Sequence, residues 1–385
     1  MADEVVLPIP NLTLPQHFFS LSTPSLERLH ENARAELLKG IEADQMAPYY
    51  RLVTSAGALP LDAALLGSME QANAEELQKI DDRLAEAEKT EGESEISDAL
   101  KAKANHLTRI GDKDLAVAAQ KLALEKTPGL GSRIDIALTL IRVGFFFGDN
   151  QLITDYLSKA EKFIEEGGDW DRRNRLKVYR GLHAISIRQF KTGAELLLDA
   201  LSTFTATELI PYNDFVALTV IVNVLTLKRV DLKKKLIAAP EVIAALPEIP
   251  VLGDLVNNLY DCHYSKFFIA LATLEQMYLL PSRLLAPHTR YYVREMRILA
   301  YSQLLESYRS LTLDSLSGAF GVSVEFVDSE LSRFIANGRL HCRIDKVHGV
   351  VETTRPSLKN AQYEKVVKQG DVLLNSIQRL SKVLY

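Results

Sequence analysis

Two cysteines, Cys262 and Cys342, each stand beside a histidine, His263 and His341. A thiol next to an imidazole is the raw material of a metal-ligand pair or an activated nucleophile. Neither chemistry has enough members here. There is no CxxC pair, and two thiolates cannot close a tetrahedral zinc site without several more ligands. The eight histidines are scattered, with no pair at ligand spacing on one predicted helix. The cysteines read as buried or idle thiols of a reducing compartment. Gly129-Leu130-Gly131 begins a dinucleotide-type glycine motif, but Ile134 stands where its last glycine belongs. No GxxxxGK[ST] loop, GxSxG elbow or HExxH pair occurs. Carboxylates are plentiful and none is singled out by spacing. No catalytic residue, cofactor site or metal site is expected, and the chain reads as a non-enzyme.

The remaining chemistry is charge. Net charge is -5, with 47% hydrophobic and 25% charged residues, as in a globular chain with a substantial core. That balance offers no general attraction to nucleic acid or to an anionic membrane. Residues 70–98 hold eleven acids against three basic residues, a solvated helix face or a contact for a basic partner. Two basic clusters, Arg172-Arg173-Asn174-Arg175-Leu176-Lys177 and Lys228-Arg229 with Lys233-Lys234-Lys235, are either solvated helix surface or a groove for an acidic partner. No basic n-region followed by an apolar run opens the chain, so no secretory signal is expected. The longest apolar stretch, Phe215–Leu227, spans thirteen residues and contains Asn223. It falls short of the roughly 18 residues of a membrane span and reads as a buried helix.

The elements that carry these charges are helices. Pro8, Pro10, Pro15 and Pro24 predict an extended N-terminal arm over residues 1–25. From Leu26 onward Ala, Leu, Glu and Lys dominate. Helices near Ser97–Ile110 and Arg133–Phe147 stop at Gly111-Asp112 and Gly148-Asp149, and each is followed by a second helix. A third pair starts near Asp169 and turns around Arg188–Phe190. The two Gly-Asp turns are 37 residues apart. Two helices per unit at that period predict a right-handed α-solenoid of TPR-like helix pairs over residues 26–204.

Helices continue over 205–306, and then the pattern changes. Leu311-Thr312-Leu313 is strand-like, Asp314 can cap a helix through Phe320, and Gly321 ends it. A second helix, Val324–Ala336, closes at Asn337-Gly338. Leu340–Ile344 and Val350–Thr354 form a hairpin around His348-Gly349. Helix, turn, helix, hairpin over 307–355 is a winged helix. Its second helix carries Glu325, Asp328 and Glu330 against Arg333 alone, and the module has six basic residues and six acids. A DNA reader would put that helix into the major groove and its cations on phosphate, so no nucleic-acid partner is expected. Instead Leu340, Val350 and Val351 are expected to form a sheet edge that binds another protein. The last segment, 356–385, carries a helix near Leu358–Leu384. Its Tyr363, Val366, Gly370, Leu373, Ile377, Leu380 and Leu384 alternate at spacings of 3 and 4, a seam for packing against another helix.

A helical array running into a winged helix is the layout of PCI-domain proteins. The resemblance narrows on particular runs: Glu165-Glu166-Gly167-Gly168-Asp169-Trp170 through Lys177-Val178-Tyr179, Ala286-Pro287-His288 through Ser310-Leu311-Thr312-Leu313, and Ser332-Arg333-Phe334-Ile335-Ala336 through His341-Cys342. Asp44 through Tyr50 and Gly92 through Ile96 extend it toward the N-terminus. These runs resemble the PCI-domain subunits of the proteasome regulatory-particle lid, in the family numbered six in animals and seven in yeast. The resemblance covers roughly residues 40–385 and leaves out the proline-rich start. It implies that 205–355 is a PCI domain and that the chain is a non-catalytic scaffold in ubiquitin-dependent degradation. It implies a winged helix paired with those of other lid subunits, a C-terminal helix in a shared bundle, and a cytoplasmic and nuclear location. A small acidic disordered lid subunit and the ATPase ring are the further neighbours implied, with no membrane partner. The other assembly open to such a layout is the signalosome or a translation-initiation factor.

Overall fold

The computed structural model describes residues 6–90, 92–354 and 358–384. Its chain separates into two compact units, one of residues 1–260 with 270–293 and one of residues 261–269 with 294–385.

The first unit is a helical solenoid. It opens with α1 (Thr13–Ser22), α2 (Glu27–Ala43), α3 (Ala47–Ser55) and the long α4 (Ala63–Thr90). Three helix pairs follow: α5 (Glu93–Ile110) with α6 (Lys113–Lys126), α7 (Leu130–Phe147) with α8 (Asn150–Gly167), and α9 (Trp170–Ser186) with α10 (Phe190–Ala200). Each helix from α1 to α11 (Tyr212–Thr226) packs chiefly on its sequence neighbours, which is how repeats that cannot bury their apolar faces alone become stable. Short helices α12 (Arg229–Leu232), α13 (Pro240–Ala245) and α14 (Pro250–Tyr260) complete the stack around α11, whose residues 215–224 are all buried.

The turns within the pairs explain the period. Gly111 and Gly148 sit at φ +76° and +72°, left-handed positions that end one helix without a Cβ clash. The aspartates that follow cap the next helix: Asp112 accepts from the Leu115 N–H at 3.0 Å and Asp149 from the Leu152 N–H at 3.1 Å. The third pair uses Arg188 at φ +66° in place of glycine.

The N-terminal arm is not extended throughout. Its prolines flank a helix instead of breaking one: Pro15 lies in the first turn of α1, where a backbone donor has no partner to lose, and Pro24 opens a short 3₁₀ turn. α1 is tied to a distant segment, since Gln16 donates from Nε2 to the Pro281 carbonyl at 2.5 Å and accepts from the Arg283 N–H at 2.8 Å.

The second unit takes its start from α15 (Tyr264–Leu274) and the end of α16 (Thr289–Ser307), and adds β1 (Ser310–Thr312), α17 (Leu313–Phe320), α18 (Val324–Ala336), β2 (Cys342–Asp345), β3 (Val350–Thr353) and α19 (Leu358–Leu384). Its core is aromatic: the Phe320 ring lies 4.5 Å from Tyr301, 4.9 Å from Phe268 and 5.0 Å from Tyr264. Two ion pairs fasten the winged helix to α16. Arg297 donates to Glu330 at 2.9 Å, and Arg339 grips Glu295 through both terminal nitrogens. Two local expectations need correction. The cap of α17 is Thr312, whose extended backbone lets Oγ1 accept from the Ser315 N–H, while Asp314 falls in the first turn. After α18 only Gly338 is left-handed, at φ +67°; Asn337 stays at φ -82°.

Candidate interaction surfaces

The winged-helix sheet has the order β1-β3-β2, antiparallel throughout. Val351 pairs with Leu311 on one side and Ile344 on the other, and Val350 pairs with Thr312 and Asp345. Both valines therefore stand on the central strand, not at an edge. Val351 is fully buried, and Leu340 is buried in the approach to β2. The expected edge fails because β1, three residues long and forty residues upstream of β3, closes its free side. The sheet's outer strands are β1 and β2, of which β2 is the longer. Thr354 donates to the His341 carbonyl, so by antiparallel alternation residues 341, 343 and 345 face β3, while Cys342 and Ile344 turn their N–H and C=O outward. Burial pushes the Cys342 thiol up to about 11, which leaves it without thiolate character at neutral pH.

α19 is the second surface. Every described side chain from residue 359 to 382 is exposed, including Tyr363, Val366, Leu373, Ile377 and Leu380 at 58–70%. The side chain of Leu384 lies outside the described residues. Val367 and Leu374 lie beside the predicted seam and widen it to a broad apolar stripe. Chains rarely leave so much contiguous apolar surface uncovered without a partner.

The two basic clusters divide. The first is mostly taken up by ion pairs, with Arg173 left exposed. Arg172 donates to both Asp135 oxygens and to Asp169, and these bonds, Asp135 first, hold its guanidinium protonated beyond the ordinary range. Arg175 pairs with Asp171 at 2.7 Å, and Lys177 with Asp199. The second stays open: Lys228, Arg229, Lys233, Lys234 and Lys235 are exposed and have no ion-pair partner among the described residues. Arg229 and Lys233 both lie over the Tyr260 ring, 5.1 and 5.5 Å from its centroid.

A buried polar network escaped the sequence reading. Arg142, 1% exposed, donates to the Ile9 carbonyl at 2.8 Å, to Thr139 Oγ1 at 2.8 Å and to the Tyr179 hydroxyl at 3.0 Å. Tyr179 in turn donates to Glu208 at 3.0 Å, and burial raises its phenol so that it keeps that proton. The signal was a single arginine inside the apolar run Ile134–Phe147, because a cation there must be paired. Among the described residues no cluster of metal-ligand side chains forms, and no helix is long and apolar enough to cross a membrane.

A repeat solenoid leading into a winged helix and an uncovered apolar helix defines the PCI-domain class, and the PCI domain model matches residues 273–355. A model described as 26S proteasome subunit RPN7 matches residues 62–235, and one described as the 26S proteasome regulatory subunit RPN7/PSMD6 C-terminal helix matches 362–384. The chain is 46% identical over 376 residues, 97% of each chain, to the 26S proteasome non-ATPase regulatory subunit 6 homolog of Arabidopsis thaliana. It is 42% identical to 26S proteasome non-ATPase regulatory subunit 6 of Dictyostelium discoideum, over 99% of each chain. It is 37% identical to 26S proteasome regulatory subunit RPN7 of Saccharomyces cerevisiae, over 98% of this chain and 94% of that one. The chain belongs to this RPN7/PSMD6 family of 26S proteasome regulatory subunits.

Proposed function

We propose that the chain is a non-catalytic scaffold of the proteasome regulatory-particle lid and serves ubiquitin-dependent degradation by holding other subunits in place. The observation that carries this is α19, a family-matched helix whose apolar stripe is exposed from Tyr363 to Leu380. In this reading the stripe docks in a bundle with the C-terminal helices of other lid subunits. The β2 edge pairs with another PCI subunit's winged helix by strand addition. The open cations of 228–235 suit a small acidic disordered lid subunit, and the ATPase ring is a further neighbour. The division of labour follows residues 26–204 as repeat array, 205–355 as PCI domain and 356–385 as bundle helix. Such a subunit works in the cytoplasm and the nucleus.

The test is replacement of the cell's own subunit by a tagged chain, with mass spectrometry of what co-purifies. The intact chain recovers lid and ATPase subunits at equal stoichiometry. Leu373→Glu with Ile377→Glu, which leaves the melting temperature of the isolated chain unchanged, loses them. Full recovery by that variant would remove α19 from the interface and the reading with it.

A further inference from the structure

Gly370 sits in the interior of α19, where glycine is a poorer helix former than alanine. Nothing in the chain's own fold calls for it: a Cβ built there meets no atom within 4 Å. A missing side chain in an apolar stripe is useful only to a backbone that comes close from outside. The residues around it are symmetric. Val366 and Val367 lie three and four positions before it, and Leu373 and Leu374 three and four after. Tyr363 lies seven before and Ile377 seven after. On a 3.6-residue turn these six lie within about 60° of Gly370, while Glu364, Lys365, Lys368, Asp371, Arg379 and Lys382 all lie about 100° or more away. From Tyr363 to Ile377 the stripe is thus apolar at matching positions in both directions; beyond that span, about a centre at Gly370, Leu380 faces Asn360 and Lys359, about 20° from Gly370, faces Ser381, so no like charges meet.

We propose that outside the assembly two copies of this chain pair through α19 as an antiparallel, two-fold symmetric dimer centred on Gly370. A two-fold interface needs one patch complementary to itself, and this stripe is such a patch. In this register Gly370 meets Gly370 of the second copy, Tyr363 meets Ile377, and the valine pair meets the leucine pair. The dimer covers the stripe until other subunits displace one copy. The inference does not rest on which subunits take the stripe in the lid.

Sedimentation of the intact chain tests it. The mass should rise with concentration from 43.0 kDa toward twice that value. Leu373→Glu with Ile377→Glu should hold it at 43.0 kDa at every concentration with circular dichroism unchanged. Orientation is read by oxidative cross-linking in a Cys262→Ser, Cys342→Ala background. A mixture of Tyr363→Cys and Ile377→Cys chains should form the mixed cross-link, and neither chain should link to itself. Gly370→Cys should link to itself, and Val372→Cys, on the charged side, should not. A constant 43.0 kDa for the intact chain overturns the proposal, and so does self-linking of Tyr363→Cys, which would make the pair parallel. Failure here leaves the lid reading standing, because that reading is judged by incorporation and not by self-association.

Discussion

Arg142 donates from Nη1 to the Tyr179 hydroxyl across 3.0 Å, and both side chains are sealed from solvent. The pair joins α7 to α9, neighbouring units of the solenoid, and the Ile9 carbonyl and Glu208 complete it. Removing Arg142 strips Glu208 of one of its two cations and leaves the Tyr179 oxygen and the Ile9 carbonyl without their donor, and removing the Tyr179 hydroxyl leaves Arg142 Nη1 without its acceptor. Arg142→Met should therefore lower the stability of the first unit by about 3–5 kcal/mol, the cost of breaking a buried pair from one side. Tyr179→Phe should cost about 1–3 kcal/mol, the penalty for a buried group left unsatisfied. Urea denaturation followed by circular dichroism reads both. A midpoint for Arg142→Met equal to that of the wild type would mean the network is incidental.

The crossing of α9 and α10 sets a stricter demand. A Cβ on Gly193 would lie 2.8 Å from Ile185 Cγ1 and 3.1 Å from the Gly181 carbonyl. The helices can approach this closely only because both positions lack side chains. Gly193→Ala should destabilise by about 1–3 kcal/mol through overpacking. Gly67→Ala, in exposed α4 with nothing within 4 Å, should instead stabilise by about 0.4–1 kcal/mol. Thermal melts of the two variants should move in opposite directions.

Acid should weaken the fold through two buried imidazoles. Burial lowers His106 from its ordinary 6.5, and the neighbouring Arg109 lowers it further; burial alone lowers His183. In the unfolded chain both take a proton near 6.5, while in the folded chain they resist it. Their contribution is complete above that pH and is lost as pH falls through the lowered folded values. The urea midpoint should therefore decline below about pH 6.5. His183→Gln, which can still bond Thr154, should show a shallower decline. An unchanged acid slope in that variant would assign the effect elsewhere.

The solenoid was legible because its determinants are local. Gly111-Asp112 and Gly148-Asp149 each place a left-handed stop beside a cap, and no distant residue is needed to read them. The α19 seam was legible for the same reason, since helical spacing alone puts its residues on one stripe. What stayed hidden depends on partners far along the chain. The cations at 172–177 look like a surface cluster until Asp135 and Asp199 arrive from other helices. Arg142 finds an acceptor in Ile9, and α1 is held by Pro281 and Arg283. The prolines of the N-terminal segment were read by their number, whereas their positions relative to the first turn decide the structure.

The sheet is the sharpest case, because it decides which proline variant is informative. Val351 is buried on the central strand and its N–H faces β1, since Leu311 and Val351 form a bonded pair between the bonds at Thr353 and Leu313. Val351→Pro would remove an internal ladder bond and a core side chain, so it should unfold the winged helix and say nothing about partners. Ile344 lies on β2 with its N–H turned outward, where proline deletes a donor that no neighbouring strand uses. Ile344→Pro should therefore keep the circular dichroism and melting profile of the isolated chain. If another subunit adds a strand to β2, the same variant should lose lid incorporation in native gels by about tenfold, the effect of one lost backbone bond of about 1.4 kcal/mol. Arg343→Ala, an exposed change that leaves the backbone donor in place, serves as the control and should incorporate normally. A folded Ile344→Pro chain that enters the lid as readily as the control would show that β2 is not where the winged helix meets its neighbour.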